Sequence, residues 1–208
     1  MPAGATEGLL IVAGAGGEVK IRVPVHKSAD APKGFVETAG VVSMEAPHFA
    51  RAIAAAGRQW LTVPGHGRTL AGVTTLPVDA QAPTQVQRDG MRLEYDLYTY
   101  TAGQATVNLT LAPTLNFQPG HGLRFAVSID DEAPQVVDMH ADVSLAATDR
   151  RVADGAAGYS TRHTLARSGA HVLKFWALDP GVVLQKVVVD LGGQKPSYLG
   201  PPESPRVR

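Results

Sequence analysis

Cysteine is absent from the 208-residue chain. That excludes a disulfide framework, thiol catalysis and cysteine-based zinc or iron–sulfur sites. An excess of either charge is absent too: 19 Lys and Arg balance 19 Asp and Glu, and only 18% of the residues are charged. A nucleic-acid binder would carry a basic face and a peripheral membrane protein a polybasic cluster, so neither partner is expected. Long apolar runs are also missing near the start. The run at residues 9–12 (LLIV) has no cationic segment before it and falls short of the about 7–15 residues of a signal peptide or the about 20 of a membrane span. No targeting segment is therefore expected within the chain. Turn chemistry, in contrast, is plentiful. The 22 glycines and 15 prolines exceed the roughly 12% of average usage. With β-branched runs between them, they favour many short strands over a helix bundle.

Residues 9–25 read as a β-hairpin. Residues 9–12 form one strand, Gly14, Ala15, Gly16 and Gly17 the turn, and Val19, Ile21, Val23 and Val25 alternate with Glu18, Lys20 and Arg22 on the return. Two strands cannot bury their own apolar face, so this hairpin needs a partner. A polar linker is expected over 26–34. Strands are then expected at 41–45, 60–63, 70–78, 91–100, 105–111, 123–129, 136–139, 172–178 and 182–191. Turn signals between them recur about every 8–12 residues, as in a β-sandwich. The alternation is clearest where Leu93, Tyr95 and Leu97 share one face and Val107, Leu109 and Leu111 another. Three adjacent strand pairs read as hairpins, one around Ala102 and Gly103, one around residues 130–134, and one around Asp179, Pro180 and Gly181. A helix of a turn or two is expected at 48–56, a polar loop at 80–90, and an excursion without regular period at 141–161. The fold class is thus all-β, a jelly-roll-like β-sandwich over 35–195. An amino-terminal β-hairpin and linker occupy 1–34, and an extended Pro-rich tail occupies 196–208.

No motif spells a reaction centre. The chain lacks G-x-S-x-G, H-E-x-x-H and a phosphate-cradling loop between strand and helix. Residues 14–17 are glycine-rich, but they sit in a tight turn with no helix after them. Asp130, Asp131 and Glu132 are three adjacent carboxylates. Catalytic pairs must flank a bond from opposite sides, so the favoured reading is a solvated turn. Seven histidines are scattered without metal-ligand spacing. The candidates for stacking on a pyranose face are Trp60, Tyr98, Tyr100, Phe117 and Trp176, each with a packing role as its plain alternative. Trp176, in a run of β formers, reads as core.

Residues 40–46 (GVVSMEA), 93–96 (LEYD), 113–131 (PTLNFQPGHGLRFAVSIDD), 179–190 (DPGVVLQKVVVD) and 196–204 (PSYLGPPES) resemble the carboxy-terminal region of glycoside hydrolase family 115, the xylan α-1,2-glucuronidases. The resemblance covers residues 35–204. Residues 8–25 are similar to the last two strands of an immunoglobulin-like module that precedes this region in the family. The resemblance places catalysis in a barrel domain upstream, so no catalytic residue is carried over to this chain. The sandwich layout is also similar to carbohydrate-binding modules of families 6 and 35. Their structural calcium lies between an E-A-E motif and an acidic residue near the last strand. That implies Glu45 and Asp190 as calcium ligands here, although Glu45, Ala46 and Pro47 leave the motif one carboxylate short. No other cofactor is implied.

The leading expectation is a non-catalytic accessory domain that binds plant-cell-wall polysaccharide of the glucuronoxylan type. Its contacts would come from Trp60, Tyr98, Tyr100, Phe117 and Arg124. Arg124 would meet a uronic carboxylate with two parallel N–H···O bonds, or else stand as the solvated side of its strand. The alternative is a purely structural domain that packs against, or dimerises, the upstream domains of a parent enzyme. A third reading, an independent enzyme, needs a cluster of titratable groups that the sequence does not offer. The resemblance implies a secreted or periplasmic parent.

Overall fold

The computed structural model describes residues 7–25, 31–83, 85, 86, 90–118, 120–141 and 144–208. The linker expected over 26–34 and the polar loop over 80–90 fall partly outside them. The chain divides into two compact units, Met1–Ala31 and Pro32–Arg208.

The first unit is a hairpin of β1 (Glu7–Gly14) and β2 (Gly17–Pro24). Gly14 stands opposite Gly17, leaving Ala15 and Gly16 as the turn. Leu10 faces Ile21 and Val12 faces Val19, so one side of the ribbon is wholly apolar. Leu9 and Ile11 face Arg22 and Lys20 on the other side. Leu10, Val12, Val19 and Ile21 are 43–60% exposed.

The second unit contains β3 (Gly34–Val36), β4 (Val41–Glu45), β5 (Arg51–Ile53), β6 (Gln59–Pro64), β7 (Ala71–Leu76), β8 (Arg92–Thr99), β9 (Gly103–Leu111), β10 (Arg124–Ile129), β11 (Gln135–Asp138), β12 (Ala157–Leu165), β13 (Gly169–Ala177), β14 (Leu184–Asp190) and β15 (Arg206–Val207). Within the described residues they form two sheets. One has the order β11-β10-β13-β8-β3-β15, with β5 also on β8; the other has the order β12-β9-β14-β7-β6, with β4 also on β14. Period-2 alternation turns Leu93, Tyr95, Leu97, Phe125, Val127 and Phe175 of the first sheet onto Met44, Val107, Leu109, Leu111, Val187 and Val189 of the second. Each such side chain contributes about 1.5–3 kcal/mol by leaving water. The one polar atom that Tyr95 carries into this core is satisfied, because its hydroxyl donates to Ala46 O at 2.6 Å. The jelly-roll-like sandwich expected from the alternation is the fold.

Of the three sandwich pairs that looked like hairpins, β10 and β11 do pair antiparallel across the acidic turn, but the other two cross between the sheets instead. β8 and β9 lie in opposite sheets, as do β13 and β14. Alternation reports which face is apolar and not which neighbour pairs, so a crossing and a hairpin look alike in sequence. Buried carboxylates hold the crossings. Glu37 accepts from Tyr100 N, Thr101 N and Thr101 Oγ1 at 2.7–2.9 Å. Asp179 does the equivalent work after β13.

The helix expected at 48–56 does not form. A short 3-10 turn covers Ala46–His48 and β5 follows, because Ala50 N bonds Glu94 O and Arg51 pairs with Glu94 across β8. Tertiary pairing overrides the local propensity of three consecutive alanines. The helix that does form, α1 (Leu145–Asp154), lies in the stretch read as irregular. Ser144 Oγ accepts from Ala147 N as its N-cap, and Gly155, at φ 62°, ends it in the left-handed conformation. β12 follows α1 directly.

Residues 194–205 cross the outer face of β14 and then run beside β4. Gln194 Oε1 accepts from Asn108 Nδ2, and Tyr198 O accepts from Arg68 Nη1. Ser204 exchanges bonds with the Ser43 backbone, and β15 closes on β3. The outward Val188 is therefore 4% exposed, which explains why apolar residues run without a break from Val187 to Val189 in β14.

The hairpin of the first unit offers few buried contacts to resist opening. Amide hydrogen exchange over residues 9–23 is expected to be faster than over β8. Mass-spectrometric exchange of the intact chain checks this, and equal protection in the two segments contradicts it.

Candidate functional site

Three loops meet at one end of the sandwich, after β7, after β9 and between β13 and β14, and enclose an open cleft of about 900 Å³. Phe117 forms one wall and is 52% exposed. Its ring rests on Gly181, where an added Cβ would come within 2.6 Å of the ring and where φ is +85°. The turn therefore requires glycine twice over. The loop that carries Phe117 is shaped by Asn116, whose Oδ1 accepts from Gln118 N and whose Nδ2 donates to His121 O, both at 2.9 Å. Gly122 admits Asp138, which accepts from Gly122 N and His140 N. His140 then accepts from Leu123 N and faces Thr114 O with its other nitrogen. That second bond requires an Nε2–H, so the pattern fits a neutral imidazole. Polar groups on the cleft wall include Asp79, Gln81, Thr114, Gln118 and His121. Glycoside hydrolysis uses two carboxylates, and Asp79 is the one carboxylate among the described residues of this lining.

Of the expected stacking residues, Phe117 alone lines this cleft. Trp60 packs against the core and donates its indole N–H to Ile53 O at 2.9 Å. Tyr98 is 6% exposed and meets Tyr100 edge-on, with ring centroids 5.5 Å apart. The two tyrosines lie at the opposite end of the sandwich from Phe117. β9 separates them, and its nine residues span roughly 27 Å. Trp176, read as core, is 2% exposed but belongs to a separate small cluster with Ala126 and Leu178.

Arg124 is engaged within the fold. Its backbone N–H and its Nε donate to Asp179 Oδ2 at 2.7 and 2.9 Å, and its Nη2 donates to Asp179 Oδ1 at 3.2 Å. Those hydrogen bonds hold the guanidinium pKa above its ordinary value. The two-bond geometry expected for a uronic acid is present, but its acceptor is internal.

The acidic turn is not a simple solvated one either. Asp130 Oδ2 meets His171 Nδ1 at 2.7 Å, and Glu132 engages His163 Nδ1. Both histidines are 3% exposed. The turn thus pins β12 and β13 from the end of β10, and Asp131 stays outside with Lys174 3.7 Å away.

Glu45 and Asp190 do not come together as a calcium site. Glu45 stands opposite Lys186, and Asp190 stands opposite Val41, about 13 Å along the ladder. Asp190 Oδ1 accepts from Gly192 N and Gln194 N. The cation beside Glu45 is the Lys186 ammonium, 3.1 Å from Oε1. Its remaining protons meet Leu199 O at 3.2 Å and Pro201 O at 3.0 Å. Glu45 Oε2 accepts from Thr69 Oγ1 at 2.7 Å. Among the described residues no group of three or more His, Cys, Asp or Glu could hold a metal ion. These residues do not fit calcium. Lys186→Met strands a buried carboxylate and is expected to lower the unfolding free energy by about 3 kcal/mol. The unfolding midpoint of the unsubstituted chain is expected to be the same in EDTA and in calcium. Urea melts in both buffers check the pair of outcomes.

A model of the glycosyl hydrolase family 115 C-terminal domain matches residues 34–203. No curated protein matches the sequence. Among solved structures, a family GH115 4-O-methyl-α-glucuronidase, BtGH115A, with specificity for decorated arabinogalactans, aligns with a TM-score of 0.54 at 19% identity. The alignment covers 80% of this chain and 19% of that one, so this chain spans about a fifth of that enzyme's length. The Podospora anserina GH26-CBM35 β-(1,4)-mannanase aligns at 0.48 and 12% identity, over 76% of this chain and 29% of that one. The C-terminal CBM6 of LamC, a marine laminarinase from Zobellia galactanivorans, aligns at 0.45 and 10% identity, over 72% of this chain and 98% of that one. With the family model spanning residues 34–203, the chain belongs to glycosyl hydrolase family 115, as its C-terminal domain.

Proposed function

We propose that the chain is a non-catalytic accessory domain that holds plant-cell-wall polysaccharide weakly in the cleft beside Phe117. The observation that carries this reading is the Phe117 ring, half exposed yet fixed over Gly181, with amide and hydroxyl groups around it. A flat aromatic face matches the C–H face of a pyranose, and Gln81, Gln118 and Thr114 offer hydrogen-bond partners for its hydroxyls. Val78 and Leu115, 59% and 69% exposed, widen the apolar rim. The tail already occupies the outer face of β14, which leaves the loop end as the more open surface. The hairpin of the first unit is proposed to be the last two strands of a preceding immunoglobulin-like module.

The same exposed Val78, Leu115 and Phe117 favour one second reading, in which this end docks on the upstream domains of a parent enzyme. Titration of glucuronoxylan fragments by calorimetry separates the two. The unsubstituted chain is expected to bind in the millimolar range, and Phe117→Ala to weaken binding about tenfold, near the upper end of what one aromatic contact supplies. Loss of all binding in both proteins would leave the docking reading.

With Asp79 the one carboxylate among the described residues of the cleft lining, the purified chain is expected to release no 4-O-methylglucuronic acid from glucuronoxylan. Chromatography of a prolonged digest checks this. Steady release that survives repurification contradicts the non-catalytic reading.

A further inference from the structure

A second, smaller hollow of about 190 Å³ lies beside the cleft, and its chemistry is different. Arg58, Gln81 and Trp176 border it, with Ala55, Met91 and Leu178 among its apolar walls. Two donors in this lining, Arg58 Nε and Trp176 Nε1, are buried without an acceptor among the described residues. Trp176 is 2% exposed, and a desolvated N–H with no partner is among the less favourable states a side chain can hold.

Arg58 is unusual in a further respect. Its other nitrogens donate only to neutral acceptors: Thr75 Oγ1 at 3.1 Å, Ala177 O at 3.3 Å and Leu178 O at 3.4 Å. The carboxylate that acts on it from a distance is Asp179, whose two oxygens are taken by Arg124. Burial, only partly offset by Asp179, lowers the Arg58 pKa from its ordinary value. The fold has thus drawn a guanidinium in from water without a counter-ion in contact among the described residues.

We propose that the hollow bordered by Arg58 and Trp176 is a binding site for a carboxylate group. One negative charge would balance the one positive charge. Its two oxygens can accept from Arg58 Nε and Trp176 Nε1, with the Gln81 amide as a third donor. A dianionic phosphate would leave excess charge among Met91, Leu178 and Ala55. A water molecule would satisfy the donors but leave the cation unbalanced. The site stands apart from the Phe117 cleft and does not depend on sugar binding there, although Gln81 borders both. Two sources share the chemistry, a free small carboxylate and the carboxylate of an acidic sugar.

The chain contains two tryptophans, so a ¹⁵N-labelled sample gives two indole N–H signals, assigned with Trp60→Phe. The Trp60 indole already has its acceptor, Ile53 O. Sodium acetate and sodium glucuronate are expected to shift the Trp176 signal downfield and saturably. Neither is expected to move the Trp60 signal, and glucose or matched sodium chloride is expected to move neither. Arg58→Gln is expected to weaken the effect at least tenfold. If that variant does not fold, Arg58→Lys, which keeps the charge and removes Nε, gives the same comparison with a smaller loss. A response to both salts supports the general carboxylate site. A response to glucuronate alone supports the site and assigns it to acidic sugars. A Trp176 signal that stays fixed at high-millimolar carboxylate, or that moves equally with glucose, overturns the proposal.

Discussion

Asp179 has no exposed surface, yet its carboxylate collects three N–H groups from a single residue, the backbone, Nε and Nη2 of Arg124. A buried carboxylate is tolerated only when charge and lone pairs are both met, and this geometry meets both. Leu178 N and Asp179 N return bonds to Arg124 O. The end of β13 is thereby fixed to the start of β10, and the turn that leaves Asp179 is aimed so that Gly181 lies under Phe117. The cleft wall is a consequence of that ion pair. So is the state of Arg58, because the guanidinium in contact with Asp179 is that of Arg124. Two arginines near one carboxylate end in opposite conditions, one held above its ordinary pKa and one pushed below it.

Ion pairs do comparable work on the outer faces of both sheets. On the first sheet Arg51 reaches Glu94 and Asp96 at 2.6 Å each, and Arg92 reaches Glu94 at 2.7 Å. Burial alone would raise the Glu94 pKa, but hydrogen bonds from Arg51 and Arg92 outweigh it and hold the carboxyl below its ordinary value. Its contribution to stability is therefore present at neutral pH and is lost as pH falls through the folded-state value. On the second sheet the Lys186 ammonium binds Glu45 and two tail carbonyls together. A divalent ion at that point would need several oxygen ligands free to turn inward. Here Thr69 and the ammonium hold the Glu45 carboxylate, Glu203 accepts from Glu45 N and His48, and the tail supplies its carbonyls to a lysine.

Much of the sandwich was legible because burial on one face writes itself as alternation. β4, β8, β9 and β10 were recognisable from Val42, Met44, Leu93, Tyr95, Val107, Leu109, Phe125 and Val127 alone. What alternation cannot carry is partner choice, so two crossings between sheets passed for hairpins. β12 was missed although Ala157, Thr161, His163 and Leu165 all point inward. Its inward set includes polar residues, satisfied by Glu132 and by the Thr161–His163 bond, and hydrophobicity therefore shows no period. The caps of α1, Ser144 and Gly155, were in plain sight, but the helix between them buries no residue and gives little apolar signal to join them.

The candidate site was harder to read for a related reason. A side chain on the outward position of a strand is exposed only if no other segment returns to cover it, and strand periodicity is silent about that. Trp176 points outward and is 2% exposed, in a small cluster that Val86 packs against. Arg124 lies on the same outward side and is claimed by the turn after β13. Phe117 escapes both fates because it sits on a loop whose shape is set locally, by Asn116 and by the glycine that lets Asp138 approach. Local loop chemistry was therefore the more trustworthy sequence signal. Arg58 had none, since its condition is defined by what does not reach it. Sequence can display an arginine, but only the folded arrangement shows that the carboxylate acting on it, Asp179, is held in contact by another arginine.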